Sequence, residues 1–167
     1  GLRLTCATEY PYGFTVNYHI TEGSKRLAVR IPAWSKVYSL TKNGVKVSAA
    51  PEKGYVYLDV TAGDNIVLTL GDQPHYAYAS ARIPELTGCT AVWRGPLVYC
   101  FEGADNGEIL PLSLKRGGKL RVCNERSDEL DGSFKITAEA FRAADCNELY
   151  SDEPLTDTPC EAVAIPY

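Results

Sequence analysis

Six cysteines (Cys6, Cys89, Cys100, Cys123, Cys146 and Cys160), two histidines (His19 and His75) and twenty-one acids are the residues with most chemistry to offer. No two cysteines have the C-x-x-C spacing that grips zinc or cycles a disulfide. Nothing beside them in sequence would lower a thiol pKa enough to make a nucleophile. The histidines stand too far apart for H-E-x-x-H or a deaminase site, and G-x-S-x-G, the P-loop and G-x-G-x-x-G are absent. Cleaving a glycosidic bond would need two carboxyls ~5–5.5 Å or ~6.5–9.5 Å apart. Glu102, Asp105 and Glu108 are the nearest trio, and solvated loop acids account for them.

Binding chemistry is harder to set aside. Eleven tyrosines and two tryptophans can supply flat platforms for sugar rings. Trp34, Tyr76 and Tyr78 fall in segments read as irregular, which makes them candidates for a sugar or domain contact; core or inter-domain packing is the weightier account. The most apolar run, Thr90 to Glu102, is broken by Arg94-Gly95-Pro96. Gly and Pro kink the chain there, so two short buried strands fit better than one. An arginine at that bend needs a carboxylate or several carbonyls to satisfy its fork of donors. It is either a structural ion pair fixing the bend or a ligand contact.

The elements that position these residues are bounded by composition. A chain of 167 residues makes one domain or two small ones, and 45% hydrophobic with 23% charged residues is globular rather than disordered. A net charge of −4 argues against a nucleic-acid partner. The one basic cluster, Lys115 to Arg121, reads as a solvated hairpin tip. No apolar run reaches the ~18 residues of a membrane span, and no signal peptide opens the chain. The absence of methionine makes Gly1 read as a processing boundary, and the chain as a piece of something longer. The cysteines are expected to behave as buried, small hydrophobes, with disulfides or a metal as the alternatives. Their lack of pattern and the lack of a signal lean slightly towards a reducing, cytoplasmic compartment, although an excised piece would have lost its signal, so localisation stays open.

Period-two alternation runs through Phe14–Ile20, with His19 on the wet face, and through Leu27–Ile31 until Pro32 ends the ladder. Ala33-Trp34-Ser35 bends; Val37–Thr41, Tyr55–Val60 and Asn65–Leu70 are further strands. Asn43-Gly44 is a tight hairpin signal, Pro51–Gly54 a loop and Gly63-Asp64 a turn. Strands about every ten residues predict an all-β fold, an antiparallel, jelly-roll-like sandwich. The Thr90–Glu102 run closes it, so the first domain is expected to span residues 1–104 and a second, smaller β region 105–167. In the latter, Ile109–Leu114 is expected to pair with Lys119–Val122, and Asp131-Gly132 to form a turn. Ala138–Leu149 reads as strand and loop rather than helix, Ser151–Pro159 as loop, and Glu161–Ile165 as a last short strand.

Glu9-Tyr10-Pro11-Tyr12-Gly13, Leu27-Ala28-Val29-Arg30-Ile31-Pro32-Ala33-Trp34, Asn43-Gly44, Gly54-Tyr55, Gly63-Asp64 and Trp93–Glu102 follow one another in that order. The series resembles the C-terminal part of the β-L-arabinofuranosidase family of glycoside hydrolases, family 127, and Ala164-Ile165-Pro166-Tyr167 is similar to the start of its closing motif. Arg30, Pro32 and Trp34, with Arg94, Gly95, Pro96 and Tyr99, form the two most specific pieces and are expected to be structural. The resemblance implies an α/α barrel with a catalytic cysteine and a zinc-bound cysteine and glutamate cluster, followed by β-sandwiches. It places every segment matched here in the sandwiches. No catalytic residue and no cofactor are therefore expected in this chain, zinc is expected in the barrel, and the barrel is the expected partner. The family pattern runs on past Tyr167, so the second sandwich is expected to be incomplete, with an open edge inviting a homodimer. An autonomous carbohydrate-binding module is the alternative.

Overall fold

The structure, a computed structural model, describes residues 1–127, 132–144 and 149–167. Asp131 of the predicted Asp-Gly turn and residues 145–148 of the expected Ala138–Leu149 segment, Cys146 among them, lie outside the described residues. The chain divides into two compact units, Gly1–Gln73 and Pro74–Tyr167.

The first unit pairs a five-stranded antiparallel sheet with a two-stranded one. The larger has the order β1(Arg3–Thr8), β2(Thr15–Glu22), β7(Asn65–Leu70), β4(Tyr38–Lys42), β5(Val45–Lys46); the smaller joins β3(Ser24–Arg30) to β6(Tyr55–Thr61). Alternation decides which side chains meet. Val16 and Ile20 of β2, Ile66, Leu68 and Leu70 of β7, and Leu40 of β4 form one core with Val29 of β3 and Val56, Leu58 and Val60 of β6. In register, Val16 stands opposite Leu68 and Leu40 opposite the same residue on its other side. His19, on the opposite face of β2, is exposed and bonded to Asn65 Oδ1 at 2.8 Å. Asn43 and Gly44 both take positive φ (51° and 78°), as a two-residue hairpin between β4 and β5 demands.

The second unit is one seven-stranded sheet, β11(Leu112–Leu114), β13(Ser133–Ala143), β14(Asp157–Pro166), β10(Leu97–Phe101), β9(Thr90–Arg94) and β8(His75–Tyr78), with β12(Leu120–Ser127) also on β13. Its core draws Tyr76 of β8 together with Leu114, Leu120 and Val122 from the other end of the strand order, around Val92, Tyr99, Ile136 and Ala164. A flat sheet would hold those residues several strand widths apart, so the sheet curls until its two ends share one core. Twist lets a single layer bury its own face. No described helix is long and apolar enough to cross a membrane.

Several expectations change here. The 104/105 boundary falls inside the second unit, within a short helix α1(Gly103–Asn106), because β10 pairs with β14, Cys100 opposite Ile165. β11 and β12 do not pair with each other. Both lie end to end along one edge of β13, Leu114 opposite Ala140 and Leu120 opposite Ala138. The basic run Lys115–Arg121 is thus a jog between two strands on the same edge, stitched by Lys115 N–H to Glu139 O and Glu139 N–H to Lys119 O. His75, Tyr76 and Tyr78 lie in a regular strand. β14 begins at Asp157, inside the predicted loop, and carries Pro159 opposite Phe141. None of Cys6, Cys89, Cys100, Cys123 and Cys160 is fully buried: Cys6 and Cys89 are exposed and the other three half-buried.

Candidate functional site

The Arg30–Trp34 motif stands where β3 ends. Ile31 N–H makes the ladder's last bond, to Gly54 O, and Pro32 has no N–H with which to continue. Ser35 N–H closes a turn onto Pro32 O, while Ser35 Oγ donates to Val37 O and accepts from Gly71 N–H. This short network fixes Trp34, whose ring meets Phe14 edge-on at 5.8 Å between centroids. Trp34 is half-buried and lines an open groove of about 540 Å³. Tyr10, Tyr18, Arg30 and Thr8 share its walls, over a floor of Val16, Leu68 and Leu70. The Arg30 guanidinium lies over the Tyr55 ring at 5.6 Å. Burial, and to a smaller degree the Cys6 thiol, pushes the Tyr18 phenol up, so it remains a hydroxyl.

The second motif is built as a clamp. Arg94 and Leu97 are paired across a two-residue loop, and Gly95 takes φ 58°, the positive value that the first central position of a II′ hairpin turn requires. Arg94 is 5% exposed, with its guanidinium 5.1 Å from the Phe134 ring centroid. Tyr99 Oη donates to the Phe134 carbonyl at 3.1 Å. Both residues converge on one position of β13, which tethers the hairpin to the strand beyond β14.

Tyr76 and Tyr78 share a face of β8, their rings 5.9 Å apart. Tyr76 is packed into the second core with its hydroxyl buried and without a partner among the described residues. Tyr78 is half-exposed, and its oxygen accepts Gly117 N–H at 3.2 Å. These two belong to the second unit and Trp34 to the first.

The groups that could do covalent chemistry are poorly poised. Burial first, then Glu102, raises the Cys100 thiol, the wrong direction for a nucleophile. Asp105 is held by Lys135 at 2.7 Å. Among the described residues no three His, Cys, Asp or Glu side chains converge to hold a metal. Sequence reasoning missed Tyr10, Tyr18 and Thr8 as neighbours of Trp34. Tyr18, the one tyrosine on the inward face of β2, was the available signal.

Residues 74–167 match the glycoside hydrolase family 127 C-terminal domain, and residues 1–71 the β-L-arabinofuranosidase GH127 middle domain. This chain belongs to glycoside hydrolase family 127. The two matched segments meet where the structure divides. The family 127 chain is 34% identical, over its full length, to a non-reducing end β-L-arabinofuranosidase of Bifidobacterium longum subsp. longum, and spans 28% of that protein. A crystal structure of a GH127 β-L-arabinofuranosidase from Geobacillus stearothermophilus T6 superposes with a TM-score of 0.90 at 32% identity, covering 99% of this chain and 28% of that one. A second GH127 β-arabinofuranosidase shares the fold, with a TM-score of 0.87 at 24% identity over 99% of this chain and 29% of its own. The chain therefore corresponds to under a third of each relative.

Proposed function

We propose that this chain is the non-catalytic C-terminal β region of a family 127 enzyme, packing against and supporting an α/α-barrel catalytic domain. The observation that carries the reading is coverage: relatives contain the whole of this fold, yet it accounts for only 28% of them. The chemistry described above agrees: the Cys100 thiol is raised by burial and by Glu102, and Asp105 is held by Lys135. We assign the catalytic cysteine and the zinc to the barrel, and the release of a terminal β-L-arabinofuranose to the whole protein. Each unit then acts as a support whose sequence motif, around Trp34 in the first and Arg94 in the second, holds strand ends and hairpins in place.

The test is titration of this chain against the separately expressed barrel, read by calorimetry and by hydrolysis of a β-L-arabinofuranoside. Association that raises the activity or thermal stability of the barrel is expected. Release of arabinose by this chain alone, or a barrel equally active and stable without it, would overturn the proposal.

A further inference from the structure

We propose that the groove beside Trp34 is a binding site for a neutral saccharide. Sugar rings present apolar C–H faces and a rim of hydroxyls, and a site for them needs aromatic surface next to fixed hydrogen-bonding groups. The groove has both. Trp34, Tyr10 and Tyr18 supply the rings. Arg30 supplies the donors: it is exposed, and its contact with Tyr55 uses Nη1 alone, at 3.4 Å from the phenol oxygen, leaving the other edge of the fork to a ligand.

The walls are organised in advance. Tyr10 N–H donates to Thr8 Oγ1 at 3.0 Å, and that hydroxyl donates to Thr15 O at 2.9 Å. Tyr12 and Gly13 N–H groups both bond Glu9 O, which holds the turn carrying Tyr10. Trp34 is held by Phe14 and by the Ser35 turn described above. Little ordering is left for binding to accomplish, which is the condition under which a small, polar ligand gains affinity. A volume of about 540 Å³ is within the usual range of small-ligand sites. Arg30 is the single charged side chain lining the groove and is stacked on a ring, so it suits hydroxyls better than a polyanion. The inference does not depend on the supporting role proposed above, since a chain that failed to aid the barrel would still present this groove.

The experiment is calorimetric titration of the intact 167-residue chain with arabino-oligosaccharides, with glycerol and glucuronate as controls for a generic polyol and a charged sugar. Tyr10→Ala and Arg30→Ala, both at exposed positions, are compared with Tyr150→Ala at an exposed position in the other unit, each checked for folding by circular dichroism. Saturable binding in the millimolar range is expected, weakened about tenfold or more by either groove substitution and unchanged by Tyr150→Ala. No saturable binding, binding indifferent to both groove substitutions, or preference for glucuronate would overturn the proposal. So would loss of barrel association in Tyr10→Ala and Arg30→Ala without any saccharide binding, which would make the groove a packing surface.

Discussion

The phenol oxygen of Tyr78 accepts the backbone N–H of Gly117 at 3.2 Å, joining the first strand of the second unit to the jog between β11 and β12. These residues lie at opposite ends of the strand order, so this one bond marks the seam of the curled sheet. The Tyr76 ring backs it at 5.9 Å.

Removing only the hydroxyl, with Tyr78→Phe, releases an exposed N–H to water and should cost about 0.5 kcal/mol. Tyr78→Ala also removes the ring contact and should cost about 1–2 kcal/mol. Urea unfolding of both variants checks the order. Equal effects would show that the hydroxyl, not the ring, closes the seam.

Asn106 acts as a strand residue made from a side chain. Its Oδ1 accepts Val163 N–H at 2.7 Å, and its Nδ2 donates to Val163 O at 2.8 Å and to Glu102 O at 2.9 Å. Asn106→Ala leaves both main-chain groups of Val163 without that partner and should destabilise the chain by about 2–3 kcal/mol. Asn106→Asp, which retains the acceptor and loses the donor, should fall between Ala and the native residue. Chemical denaturation gives both values, and a ΔΔG within error of zero for Asn106→Ala would refute the role.

Acid should loosen the first unit through Asp64. Its carboxylate accepts from Lys42 Nζ at 2.8 Å, Thr61 N–H at 2.8 Å and Asn43 Nδ2 at 2.7 Å. The Lys42 bond first, then the other two, holds the carboxyl down to about 2. A folded-state pKa below that of the unfolded chain means the folded state binds fewer protons. The stabilisation is therefore complete above about pH 4 and is lost as pH falls through about 2. The melting temperature should drop over that window, and Asp64→Asn should lower it at pH 7 and flatten the drop. Glu139, lowered by Lys115, has the same sign, so some slope remains in the variant. An unchanged pH profile in Asp64→Asn would contradict the assignment.

Two glycines with ordinary backbone angles should respond in opposite ways. A Cβ on Gly71 would stand 2.9 Å from Val37 O, the carbonyl that already accepts Gly71 N–H. Gly71→Ala must push main chain apart and should cost about 1–3 kcal/mol. A Cβ on Gly103, in the first turn of α1, meets nothing within 4 Å. Gly103→Ala should be neutral or stabilising by up to about 1 kcal/mol, through a less entropic unfolded chain and better helix propensity. Thermal melts of the two variants side by side are sufficient to decide.

By itself the sequence determined what short-range sterics dictate: that the chain is nearly all β, that Asn43-Gly44 and Gly95-Pro96 are tight turns, and that Val16, Ile20, Ile66 and Leu68 share the faces of their strands that point inward. Positive φ at a turn and the side-to-side alternation of a strand are properties of two or three adjacent residues, so they can be read without the rest of the chain. Partner choice was left to the tertiary structure. Nothing near Cys100 in sequence announces that Ile165 will lie beside it, nor that residues 112–114 and 120–127 will share one edge of β13 instead of pairing together. The curl of the sheet depends on accumulated twist and on a core collected from both of its ends. The groove was hidden for the same reason: Trp34 and Arg30 were legible as a motif, but Tyr10 and Tyr18 reach them only because a five-stranded sheet is folded over a two-stranded one.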